Sequence, residues 1–282
     1  MDFFYDGGKK VRGSKERTML NMDSISHFLQ KQSATPFILL QELDIKSKRS
    51  YYINQQDILI RHFARHAALA PNYAVEFVPI PVASPMGKVH SGVLSLSLPQ
   101  PASSTRYAYP GMFDWPVRLF NLRRCMLVSK YPTGNGKKLV LINSHLSAFD
   151  DGSLKKQEME FLRNFVKDEY VQGNYVIVGG DWNQCPPDFQ LTKFGDNYQS
   201  DSFILSNIAP DFMPAGWKWA YEAESPTNRY LNEVYHPEKT FKCLIDFFLV
   251  SPNVEVIQNK TFDLNFRNAD HNPVWMQFKL RK

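Results

Sequence analysis

The 282-residue chain predicts an α/β domain. Three observations carry this expectation. Short continuous apolar runs, such as Tyr175–Val178 and Leu244–Val250, have the composition of strands buried on both faces. Segments such as Arg17–Gln32 and Leu154–Tyr170 instead place their apolar residues on one helical face. No repeat, low-complexity tract or linker divides the two kinds of segment, so a single domain over residues 1–282 is expected.

Composition narrows the class. Hydrophobic residues at 43% against 22% charged describe a globular chain, not a disordered one. No run approaches the length of a membrane-spanning helix. The net charge of +5 is mild: it favours an anionic ligand without the sharp basic stripe of a dedicated nucleic-acid binder. Cys125, Cys185 and Cys243 are far apart and lack paired metal spacing, so they read as small buried thiols.

In chain order, the first sixteen residues read as loop, without an opening strand or a secretory signal. The helix Arg17–Gln32 presents Leu20, Met22, Ile25, Phe28 and Leu29. Phe37–Leu40 is a buried strand that ends in Gln41-Glu42. Gln55–Leu69 reads as a second helix, closed by Pro71, and Tyr73–Ile80 and Val89–Leu98 as strands. Pro99–Pro116, rich in Pro, Ser and Tyr, reads as a long surface loop of the kind that carries substrate contacts. Leu122–Tyr131 and Lys138–Leu146 are strands joined by an Asn-Gly turn at Thr133–Gly136. Leu154–Tyr170 is a helix capped by Gly173-Asn174. The strand before Gly179-Gly180 follows, and the glycines are read as its end and a sharp turn. A short helix is expected near Pro187–Thr192, and strands around Trp217–Trp219, Leu244–Ser251, Val254–Leu264 and Val274–Leu280.

Polar groups collect at the ends of these runs: Gln41-Glu42, Asn143 to His145, Asp181 to Asn183, Asp246 and Asp270-His271. Each alone has an ordinary structural explanation, such as a strand-end carboxylate in solvent or a hydrogen-bonded core histidine. Asp246 is different. A carboxylate inside Leu-Ile-Asp-Phe-Phe-Leu-Val is costly to bury unless a cation or donor meets it, and a histidine would serve.

Taken together, Gln-Glu, Asn-x-His-Leu, Gly-Asp-x-Asn, Ile-Asp-Phe and Asp-His-x-Pro-Val resemble, in that order, the endonuclease/exonuclease/phosphatase superfamily. That superfamily holds apurinic endonucleases, pancreatic deoxyribonuclease, inositol polyphosphate phosphatases and bacterial sphingomyelinases. The resemblance runs from Phe37 to the C-terminus. It implies a four-layer α/β sandwich, with two mixed β-sheets packed face to face and helices outside. It implies Glu42 as the main ligand of Mg2+ or Mn2+, with Asp270 contributing. Asp181 would orient or deprotonate the attacking water, Asn183 would hold the phosphate or that water, and His145 and His271 would donate to the phosphate. Asp246 would orient His271. Asn143 and Arg106 are further candidates for substrate contact.

One departure is plain. The family opens with a strand carrying an Asn near the metal, and nothing in Met1–Arg17 matches it; Asp2-Phe3-Phe4-Tyr5 lacks both the apolar run and the amide. The chain therefore reads as lacking that first strand, which would leave unpaired edges in one sheet. Similar members carry an upstream signal or anchor, so an exported location is what the resemblance allows. The expected activity is metal-dependent hydrolysis of a phosphate ester by a monomer. The aromatic-rich Pro99–Pro116 loop tilts the expectation toward a lipid or small phosphodiester. A nuclease acting on DNA or RNA is the first alternative, and an inactive binding or scaffold protein on the same fold is the second.

Overall fold

The computed structural model describes residues 13–281 apart from 64, 81, 83, 112–114, 149–151, 196–198, 201–202 and 232–233. The expectation placed on Asp2–Tyr5 lies outside the described residues. Helix α1 spans Lys15–Lys31, with the Ser14 hydroxyl accepting from the Arg17 N–H as its N-cap. Strand β1 is Phe37–Asp44, α2 is Gln55–His62, β2 is His66–Val78 and β3 is Gly87–Ser97. Then come β4 (Ser103–Ala108), β5 (Cys125–Pro132), β6 (Lys138–His145), α3 (Ser153–Val171) and β7 (Tyr175–Asp181). The pairs β8 (Gln199–Ser200) with β9 (Phe203–Ile204), and β11 (Asn228–Arg229) with β12 (Lys242–Cys243), are short ribbons. Strands β10 (Lys218–Ala220), β13 (Asp246–Val250), β14 (Val254–Thr261) and β15 (Val274–Leu280) complete the order.

A six-stranded mixed sheet, β10-β13-β7-β6-β5-β4, forms the centre. Its parallel pair β6/β7 is joined by α3, which buries Met159, Leu162 and Val166 against Val140, Ile142 and Val176. On the opposite face Cys125 and Leu127 meet Ala70 and Val93 of a three-stranded sheet, β1-β3-β2. The outer face of that sheet packs through Ile38, Leu94 and Leu96 on Met22 and Leu29 of α1 and Leu59 of α2. The fold is thus mixed α/β, but the second sheet is not continuous. Among the described residues, strand β1 pairs only with β3, and β15 only with β14. Their outer edges line a cavity of about 930 Å³ with Phe37, Leu39, Met276, Phe278 and, from α1, Ile25 and Phe28. Phe37, Leu39 and Leu40, expected to be buried on both faces, are only half-buried for this reason.

Several sequence expectations need correction. The second helix stops at His62, and His66–Leu69 join β2 because they pair with Ser97–Leu94 of β3. Here sheet pairing overrides a local pattern that suits either state. Pro71 sits where the β2–β3 register shifts, a place that tolerates a missing N–H. The Pro99–Pro116 loop contains β4, an exposed polar edge strand. No helix forms at 187–192, where the chain makes turns instead. Asp246 opens β13 instead of lying inside it.

Gly179 and Gly180 do not end their strand. They pair with Asn143 and Ser144 of β6, and β7 continues to Asp181. A Cβ on Gly180 would lie 1.9 Å from the Ser144 carbonyl oxygen, at φ +148°, so glycine is required by close approach of two backbones. We expect Leu162→Ala to lower stability by about 2–5 kcal/mol while leaving the end of β7 in place. Gly180→Ala should instead pry β6 from β7. Urea denaturation of the two variants separates these outcomes: equal, small losses would contradict the close-approach argument.

Candidate active site

The carboxyl ends of β6 and β7 meet in parallel register, His145 opposite Asp181. Strand β13 runs antiparallel beside β7 and places Asp246 opposite Asp181 as well. Two backbone bonds lock this end: Leu146 N–H donates to Asp181 C=O, and Trp182 N–H to Ile245 C=O. The fully buried Trp182 ring stacks on Phe247 at 5.2 Å and donates its indole N–H to the Phe247 carbonyl. Glu42 arrives from the other sheet. The β1–β3 register shifts between Leu40 and Leu43, and Glu42 takes φ +55°, which re-aims its side chain at this end.

The side chains then form one chain of contacts. Glu42 Oε1 lies 3.9 Å from His145 Nε2, which lies 3.3 Å from Asp181 Oδ2. The same Asp181 oxygen lies 3.9 Å from His271 Nε2. His271 Nδ1 is 2.8 Å from Asp246 Oδ2. Asp181 Oδ1 accepts from the Asn183 N–H at 2.9 Å, with Asn183 itself at φ +50°. The Asn183 amide donates to Leu146 C=O, which fixes its plane.

Electrostatics follow from this packing. Burial works against the charge on Asp181, but the His145 hydrogen bond, the charges of His145 and His271 and the Asn183 amide outweigh it, so the carboxyl sits below its usual range. Burial likewise opposes the charge of Glu42, and His145, Arg49 and Arg124 overcome it, which keeps that half-exposed carboxyl ionised. His271 loses water on burial, yet Asp246, Asp270 and Asp181 surround it and raise its pKa from 6.5 to about 10.

The structure brings His145, Asp181, Asn183, Asp246 and His271 together, with Glu42 at the rim. It does not bring the other candidates there. Asn143 is fully buried between the sheets, where its amide donates to Leu94 C=O and accepts from Gln41 Nε2 at 2.7 Å. It steadies Gln41, the residue before Glu42. The Arg106 guanidinium is spent on the carbonyls of Pro71 and Arg123. Asp270 enters through its carbonyl, which accepts from Arg229 N–H, while its carboxylate acts on His271 through space.

Sequence reasoning missed Thr227 and Asn228. The Thr227 hydroxyl accepts from the N–H groups of Ile245 and Asp246 and so sets the start of β13. Asn228 Nδ2 lies 2.9 Å from His271 Nε2. In the neutral ring Nε2 accepts this N–H; rotation of the amide presents Oδ1 to the protonated ring. Both residues lie in a polar, turn-rich stretch with no period to flag them.

Asp181, Asp246 and His271 offer ligand atoms within 4.8 Å of one another, so an acidic and imidazole group able to hold a metal ion is present. Because Asp246 and His271 already bind each other at 2.8 Å, the hard oxygens left for a cation are those of Asp181 and Glu42. Among the described residues no helix is long and apolar enough to cross a membrane.

Comparison with known proteins bears on the family and the fold. The profile of the Endonuclease/Exonuclease/phosphatase family matches residues 6–265. No curated protein matches in sequence. Among solved structures, an endonuclease/exonuclease/phosphatase from Bacteroides vulgatus superposes with TM-score 0.61 at 15% identity, covering 93% of this chain and 91% of that one. The human Nocturnin catalytic domain with bound sulfate gives 0.59 at 16%, covering 95% and 88%. Danio rerio (D. rerio) TDP2 complexed with a single-strand DNA product gives 0.59 at 16%, covering 93% of each. At these identities the superpositions speak for the fold, and the profile match speaks for the family. The chain belongs to the endonuclease/exonuclease/phosphatase family.

Proposed function

We propose that this chain is a divalent-metal-dependent phosphoric ester hydrolase. The observation that carries the reading is the continuous Glu42–His145–Asp181–His271–Asp246 arrangement across two sheets. Mg2+ or Mn2+, held by Glu42 with Asp181 nearby, would supply charge neutralisation at a phosphoryl oxygen. The chain's own residues do the rest. Asp181 stays ionised and accepts a hydrogen bond from the attacking water, orienting it in line with the leaving oxygen. His271, protonated and steered by Asp246, donates to a non-bridging oxygen, and His145 donates from the other side. Asn183, its plane fixed by Leu146, lines the place of that water.

The substrate stays at the level of phosphate esters. Most groups that tilted the sequence toward a lipid now have structural work: Tyr107 packs on Phe165, Tyr109 bonds Ser144, and Trp217 and Trp219 pack on Tyr170 and Trp182. The nuclease alternative draws on the likeness to TDP2, solved with a single-strand DNA product, and to Nocturnin, solved with sulfate.

The scaffold alternative draws on the edges of β1 and β15 beside Glu42, which pair with no further strand among the described residues.

On a diester panel that spans bis-p-nitrophenyl phosphate, DNA and phospholipid, His271→Ala and Asp181→Asn should each lose roughly 10²–10⁴-fold in rate. Glu42→Ala should also raise the Mg2+ concentration needed for half-maximal rate. Wild-type rates in these variants would remove the assignment. The raised pKa of His271 also stabilises the fold. That contribution is fully present below pH 6.5 and disappears as pH climbs through about 10. In chelator, the stability gap between wild type and His271→Gln should therefore narrow from pH 6.5 to about 10; a gap that stays constant would contradict it.

A further inference from the structure

The mouth of the site carries a concentration of exposed apolar side chains that the catalytic arrangement does not use. Strand β3 passes the level of Glu42 near Gly92, so its start and the hairpin from β2 project beyond the site. The connection from β4 to β5 leaves the same end, because Met126 pairs with Ser144, next to His145. The two segments pack together: the Tyr73 hydroxyl donates to Phe120 C=O, the Arg123 N–H to Asn72 C=O, and Leu122 joins Tyr73, Val78 and Val89.

Both tips are greasy where solvent meets them. Phe77, Ile80 and Val82 are 51%, 58% and 87% exposed on the hairpin. Across from them Trp115, Val117, Leu119 and Phe120 are 70%, 49%, 52% and 39% exposed. These make up seven of the fifteen large exposed apolar residues among the described ones, held in two short segments. Such clustering is rare on a surface that meets only water. Exposed basic residues flank it, Lys46 and Arg123, with the half-buried Lys88 paired to Glu76.

We propose that these two tips form a docking rim for a lipid bilayer, and that the site cleaves phosphodiesters presented in the headgroup layer. The second half rests on the phosphoesterase reading; the first does not. Apolar tips of loops, with an indole among them and cations behind, suit insertion into the headgroup–acyl boundary. A nucleic-acid rim would put the cations, not the apolar groups, foremost.

Flotation of the full chain with phosphatidylcholine vesicles, with and without phosphatidylglycerol, tests the docking directly. Wild type should float, more so with the anionic lipid. The variants Ile80→Ser/Val82→Ser and Trp115→Ser/Leu119→Ser should each lose roughly tenfold in partitioning at unchanged melting temperature, because their targets touch solvent and not the core. Both should keep wild-type turnover of bis-p-nitrophenyl phosphate and lose turnover of vesicle phospholipid. Wild type that stays in the aqueous fraction overturns the proposal, as do variants that float like wild type. A rim that instead joins two copies, seen as a dimer that these variants dissolve, also overturns it. If no diester is cleaved at all, the hydrolase reading fails while flotation still judges the docking.

Discussion

The whole site depends on one close approach, that of β6 to β7 at Gly180. Two parallel backbones come near enough there that a single methyl group would collide with the Ser144 carbonyl. That contact sets the register that puts His145 level with Asp181, and β13 then brings Asp246 to the same level. Rigid strands fix these groups within hydrogen-bond reach before any ligand arrives. Preorganisation of this kind lowers the reorganisation a transition state would otherwise require.

Charge is arranged with the same economy. Carboxylates and imidazoles alternate along the site, so each buried charge has an opposite neighbour and none is stranded. Asp181 is pushed toward its ionised form chiefly by His145, and His271 chiefly by Asp246. Glu42 is the exception in exposure: it comes from the other sheet and stays half in water, as a ligand of a hydrated cation should. A cleft between two sheets is thereby acidic on its Glu42 side and able to donate protons on its His271 side.

Much of this was legible in the sequence. His145, Asp181 and His271 stood out only when five short motifs were read together in order; Asp246 stood out by itself, because a carboxylate in an apolar run is costly to bury unpartnered. The costliness of Asp246 even indicated its partner type. Other features were illegible for definite reasons. The role of Gly180 is a tertiary contact, and the local pattern reads just as well as a turn. His66–Leu69 suit a helix until β3 is there to pair with them. Thr227 and Asn228 act through single hydrogen bonds from irregular chain, which leaves no periodic trace. Asn143 and Arg106 looked like site residues by type and position, yet their polar atoms satisfy buried or neighbouring backbone.

The edges of β1 and β15 line a cavity that reaches Glu42. The central claim, however, concerns what happens at phosphorus. It is tested most directly by following hydrolysis of a phosphodiester in heavy-oxygen water with Mg2+ present. The account predicts that the label enters the phosphate-bearing product and that chelator or Asp181→Asn abolishes its entry. Label in the released alcohol, or entry that is indifferent to Asp181, would contradict it.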